Sequence, residues 1–213
     1  MSEPIDWVVP SKTSWPSFGT ERPVWIPCPA GFPAGDDQDS WARKYAAQWW
    51  AKSGADYGDI QVEGLAKILA EVRELAYRPG KCQLAVIHLP PAQLEPRRVL
   101  QPLPVDMGVW QSHGERDARL RVLTNADDPG AVEKPIVEEF GSEGLGTGLK
   151  TLRYSRLADG SLFAAVNYAF RSEDYETDVR FSSSCPDLSR LQEALPDIDE
   201  LVRTTGLIPR NQA

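Results

Sequence analysis

The sequence predicts an α+β fold, a mostly antiparallel sheet with helices packed on its faces, preceded by an extended Trp/Pro-rich N-terminal arm. Three features point there. An apolar period of helical spacing runs over about residues 59–77, strand-like runs separated by turn residues fill the chain from residue 132 onward, and seven of the 18 prolines fall within residues 1–37.

Residues 1–37 form the arm. Proline fixes φ and removes a ladder donor, so this stretch is extended or looped, with at most a short strand near Val24–Ile26. It holds Trp7, Trp15 and Trp25, side chains too large to be left in water without a surface to cover. Residues 38–213 are read as a single α+β domain.

The first helix runs from about Ser40 to Lys52, with Asp36, Asp37 and Asp39 at its positive end and Gly54 as its stop. Trp41, Tyr45 and Trp49 recur at i, i+4 and i+8 with Trp50 beside them, so one face is an aromatic stripe, fit for a core or for a contact surface. The second helix, about Asp59–Tyr77, places Val62, Leu65, Leu69, Val72 and Ala76 on one face and Glu63, Lys67 and Glu71 on the wet side. Residues 82–89 (CQLAVIHL) are apolar on both faces, as a covered central strand is. The proline-rich stretch 90–104 is irregular, and strands are expected at about Val105–Gln111 and Ala118–Leu123.

From Val132 the pattern is a meander, with runs at 132–140, 148–156, 161–171 and 175–182 and turn chemistry at 125–130, 141–146 and 159–160. In the last run Tyr175, Thr177, Val179 and Phe181 take the packed side, and Glu176, Asp178 and Arg180 the wet side. A terminal helical region covers about 186–205, broken in two by Pro196, with Asp197 and Asp199 as capping and dipole residues of its second piece.

The composition narrows function mainly by exclusion. A net charge of −8 with only small, interleaved basic clusters argues against nucleic acid, whose affinity is dominated by phosphate contacts. Cys28, Cys82 and Cys185 are scattered and form no C-x-x-C pair, which fits a reducing, cytoplasmic setting and no metal site. The first residues carry Glu3 and Asp6 where a signal peptide carries positive charge, and no apolar run approaches the ~18 residues of a membrane helix. Asp36, Asp37 and Asp39 lack the spacing and the closing glutamate of a calcium loop. The glycines at 141, 144, 146 and 148 match neither phosphate-loop pattern, and no cofactor is implied. His88 falls in an apolar strand and His113 in a polar loop, with no nucleophile signature near either.

The block from Val132 to Ile208 resembles the Mog1/PsbP-like α/β family in layout. The likeness rests on the glycine-spaced turn GSEGLGTG (Gly141–Gly148), the antiparallel strands after it, and the helical close LSRLQEALPDIDELVRTTGL, about a third of the chain. The resemblance implies an antiparallel sheet with helices on its faces, and a mostly non-enzymatic family: photosystem extrinsic subunits, a Ran-binding protein, bacterial lipoproteins and chaperones for secreted effectors. It carries over no functional residue.

The expectation is a non-enzymatic protein-interaction module, an adaptor or chaperone-like subunit of the cytoplasm that binds a protein partner and neither nucleic acid nor membrane. Trp7, Trp15, Trp25, Trp41, Tyr45, Trp49 and Trp50 are its expected contact residues. The alternative is a small-ligand-binding protein or enzyme with a pocket near Gly141–Gly148 and His113.

Overall fold

In the computed structural model the described residues are 15–17, 24–32, 35–77, 84–90, 101–157 and 159–208, the side chains of 15–17 and 208 excepted. Trp7, the side chain of Trp15, Cys82 and most of the proline-rich stretches 1–37 and 90–104 therefore lie outside them.

In chain order the elements are β1 (Trp15–Ser17), β2 (Trp25–Cys28), α1 (Gln38–Ser53), α2 (Asp59–Ala76), β3 (Leu84–His88), β4 (Leu103–Gln111), α3 (Arg116–Thr124), β5 (Ile136–Ser142), β6 (Gly146–Arg156), β7 (Leu162–Ser172), β8 (Thr177–Cys185), α4 (Leu188–Thr204) and β9 (Gly206–Ile208). The fold is α+β, built on a seven-stranded antiparallel sheet of order β2-β3-β4-β8-β7-β6-β5, with β1 and β9 forming a separate two-stranded ladder. The chain divides within β4 into two compact units, residues 20–106 and residues 107–213 together with 1–19. Ile26 and Cys28 of β2 share one core with α1, α2 and β3.

In the unit of residues 20–106, α1 opens on Asp37, whose side chain accepts from the Ser40 N–H at 2.7 Å, and closes on Gly54 in the left-handed conformation. α2 follows the predicted period and buries Leu65, Ala66, Leu69 and Ala76. Arg73 donates to the carbonyls of Pro29 and Ala30, each at 2.9 Å, and its guanidinium lies 4.4 Å from the Phe32 ring centre, fixing the chain beyond β2 to α2.

In the other unit β5 to β8 form an antiparallel meander, with Gly148 opposite Phe170 and Phe170 opposite Val179. The two helices take opposite faces. Leu120 and Leu123 of α3 pack with Ala169 of β7, whereas Asp199 of α4 meets Tyr168, the adjacent residue, whose side chain points the other way.

Three expectations are corrected. Residues 118–123 form a helix, not a strand: Glu115 accepts from the N–H groups of Asp117 and Ala118 as the cap, Asn125 closes the helix at φ 54°, and Leu120 and Leu123 bury at helical spacing. The terminal helix runs unbroken through Pro196. Pro196 and Gln192 are both exposed, so the Gln192 carbonyl left without its helical donor can be met by water while the buried stripe Leu191, Ala194, Ile198, Leu201 and Val202 holds both halves in place. Asp178, placed on the wet side by alternation, is fully buried.

Pro196→Ala should therefore stabilise the protein. Restoring a helix donor regains about 3 kcal/mol, against about 1 kcal/mol lost through a freer unfolded chain. The net of about 2 kcal/mol predicts a melting temperature higher by about 4–8 °C. An unchanged or lower transition in a calorimetric scan would contradict this account of the helix.

Candidate functional site

The expected contact residues are the natural starting point. Trp25, Trp41, Trp49 and Trp50 are buried, and Tyr45 is half-buried at the margin of the same core. Three of the indoles are tied to the protein's own backbone: Trp41 Nε1 donates to Pro27 O at 3.2 Å, Trp49 Nε1 to Leu89 O at 2.7 Å and Trp50 Nε1 to Gln61 O at 3.1 Å. Trp49 and Trp50 meet edge to face at 5.1 Å, and Trp25 stacks edgewise on His88 at 4.9 Å. Trp41, Trp49 and Trp50 belong to the core that α1, α2 and β3 share, and Trp25 is buried outside that cluster, so none of the four rings lies open on the surface. Trp41, Trp49 and Trp50 fit that core because it also holds small alanines (Ala42, Ala46, Ala66) and each indole N–H finds a carbonyl.

The same packing shapes the outer side of the helix pair. A groove of about 230 Å³ runs between α1 and α2. Its floor is Ala42, Ala66 and Ala70, and its rim carries four carboxylates (Asp39, Glu63, Glu71, Glu74) against two cations, Arg43 and Lys67. Arg43 and Glu63 form a two-pronged pair across the groove at 3.0 and 3.2 Å, and Glu74 accepts from Gln38 at 3.0 Å. Asp39 and Glu71 make no ion pair among the described residues. The volume is below the ~300–1,000 Å³ of small-molecule pockets and suits one or two inserted side chains.

His113 is exposed, its Nδ1 3.4 Å from the Gln111 carbonyl, and neither it nor residues 141–148 line that groove. Backbone geometry and packing account for two of the glycines of that run. Gly146 sits at φ 76° in the β5–β6 turn, and a Cβ on Gly148 would overlap the Ala169 carbonyl and the Phe170 ring. Arg116 of α3 caps the turn by donating to Thr147 O at 2.5 Å.

Sequence reasoning missed two charged clusters, both in the unit of residues 107–213. Asp178 accepts from Arg171 Nε at 2.7 Å and Nη2 at 3.2 Å, from Arg119 Nε at 3.3 Å and from Ser112 Oγ at 3.1 Å. Arg171 also donates to the carbonyls of His113 and Gly114, each at 3.0 Å, so this cluster holds the loop ahead of α3. The Asp178 hydrogen bond holds the Arg171 guanidinium above the ordinary arginine pKa.

The second cluster joins α4 to the sheet. Lys150 Nζ lies 3.0 Å from Asp199 and 3.1 Å from Glu138, and the Tyr168 hydroxyl donates to Asp199 at 2.6 Å. Asp199, expected at a helix start, sits mid-helix because α4 does not break. Burial, then the Asp199 charge and its hydrogen bond, push the Tyr168 phenol well above its ordinary value.

A raised acid pKa in the folded state means the unfolded chain loses the proton first. Tyr168 therefore contributes stability fully below pH ~10 that is lost as pH rises further, at about 1.4 kcal/mol per pH unit. Urea midpoints measured between pH 9 and 11 should fall less steeply for Tyr168→Phe than for the wild type. Equal slopes would show that the phenol ionises freely in the folded protein.

Among the described residues there is no group of three or more His, Cys, Asp or Glu placed to hold a metal ion. No described helix is long and apolar enough to cross a membrane. No protein-family model matches the chain, and no curated protein matches it.

Proposed function

We propose that this chain is a non-enzymatic protein-interaction module, an adaptor or chaperone-like subunit, and that the α1–α2 groove receives basic side chains of a protein partner. The observation that carries the reading is the groove itself. It is open, about 230 Å³ in volume, floored by alanines and rimmed by a surplus of carboxylates. A lysine or arginine stem lies well on an alanine floor while its charged head meets carboxylates such as Glu71 and Asp39. The aromatic residues serve this surface from behind, by fixing the two helices that form it. The Mog1/PsbP-like layout read over residues 132–208 agrees with a binding role. So does a cytoplasmic setting, in which the buried thiols of Cys28 and Cys185 stay reduced.

The test couples partner recovery to a purified titration. The wild type, Ala70→Trp (which fills the groove) and the pair Glu71→Lys with Glu74→Lys serve as baits, each first shown by circular dichroism to melt normally. The expected result is a partner that binds the wild type saturably and each variant at least about tenfold more weakly, the scale of losing a charge pair and its packing. A partner that binds all three alike would overturn the groove as its site.

A further inference from the structure

The other unit ends in a sheet edge of its own. β5 is the terminal strand of the sheet and, among the described residues, pairs with β6 alone. An edge strand of an antiparallel ladder turns every second residue's N–H and C=O outward, where another strand can meet them. The C-terminal end of β5 is occupied, since Ser142 Oγ donates to the carbonyls of Arg203 and Thr205 and the Glu143 N–H to Arg203 O. At the other end Val132 N donates to Tyr154 O, and Pro135 stands immediately ahead of the strand. The open stretch is residues 136–141.

Its side chains are those of a surface that meets something. Ile136 is 56% exposed and Val132 48% exposed, beside half-buried Leu152, the cross-strand partner of Ile136. Next come Glu138 and Glu139, both exposed. Glu138 shares Lys150 with Asp199, while Glu139 makes no ion pair among the described residues. Adjacent carboxylates on an edge repel a second copy aligned about the strand's centre, because glutamates would then face glutamates. The same charges attract a strand that carries lysine or arginine.

We propose that the open edge of β5 accepts an extended segment of a partner protein as an added strand, with an apolar residue beside Ile136 and a basic residue beside Glu139. Ile136 and Glu139 differ by an odd number of positions and so lie on opposite faces, which means the incoming strand alternates apolar and basic residues. This site is independent of the α1–α2 groove.

The probe is a short fluorescein-labelled peptide alternating valine and lysine, titrated against the full chain by anisotropy, with amide hydrogen exchange followed in parallel. Binding should slow exchange within residues 136–141. Ile136→Lys and Glu139→Lys, both at exposed positions where the fold tolerates change, should each weaken binding about tenfold, and a valine–glutamate peptide should not bind. Binding that is indifferent to both substitutions, slowed exchange confined to residues 38–77, or equal binding of the acidic peptide would each overturn the proposal. Dimerisation of the free protein through β5, seen as a doubled mass by light scattering with exchange at residues 136–141 already slowed before any peptide is added, would assign the edge to a second copy instead.

Discussion

Asp178→Ala is expected to cost about 3–5 kcal/mol, because it leaves two nearly buried guanidinium groups without their shared carboxylate. The carboxylate is completely covered, and the side chains of Arg171 and Arg119 are only 7% and 10% exposed. Charges so placed cannot recover their hydration, and the loss extends to the His113 and Gly114 carbonyls that Arg171 positions. For a chain of this length the fall in melting temperature should be on the order of 10 °C. Removing Asp178, Arg119 and Arg171 together in favour of apolar residues should be less harmful than removing Asp178 alone, since a missing partner costs more than a missing pair. Urea unfolding of the single and triple variants decides it. A single-variant loss below about 1 kcal/mol would mean that water reaches the arginines.

Trp49→Ala should lose a similar amount, about 3–5 kcal/mol, for a different reason. The indole is 3% exposed, its N–H bonds to Leu89 O at 2.7 Å, and it sits edge-on to Trp50. Truncation leaves a cavity in a core whose neighbours, Ala46 among them, are already small, and it strands the Leu89 carbonyl. Trp49→Phe keeps most of the volume and loses the hydrogen bond, so about 1–3 kcal/mol is expected. Chemical denaturation followed by the helical signal of α1 and α2 measures both. A stable Trp49→Ala protein that had lost only a binding partner would return the aromatic stripe to the surface.

Where the sequence was legible, local rules carried it. α2 was readable because Leu65, Leu69 and Ala76 fall on one side at helical spacing, and α1 because its acidic start and Gly54 mark both ends. The meander was readable because turns such as Asp159-Gly160 separate its runs. The run 118–123 was read as a strand, yet the cap at Glu115 and the Leu120–Leu123 spacing were the better signals. The groove was half legible. Glu63, Lys67 and Glu71 could be placed on the wet side of α2, but its alanine floor emerges only when α1 and α2 meet.

By itself, then, the sequence determined the α+β class, most strands and helices, and the acidic surface, because periodicity, caps and turns act over a few residues and are written where they act. Tertiary structure alone decided what lies inside. Alternation told that Val179 and Asp178 face opposite ways, but not that α3 would cover the polar face and bury the aspartate; the Ser112 contact that helps satisfy it comes from 66 residues away. The bond that seals Trp49 spans 40 residues. Burial depends on which distant segments meet. One aromatic stripe could therefore have faced a partner or the core, and only the packing of α1, α2 and β3 put it in the core.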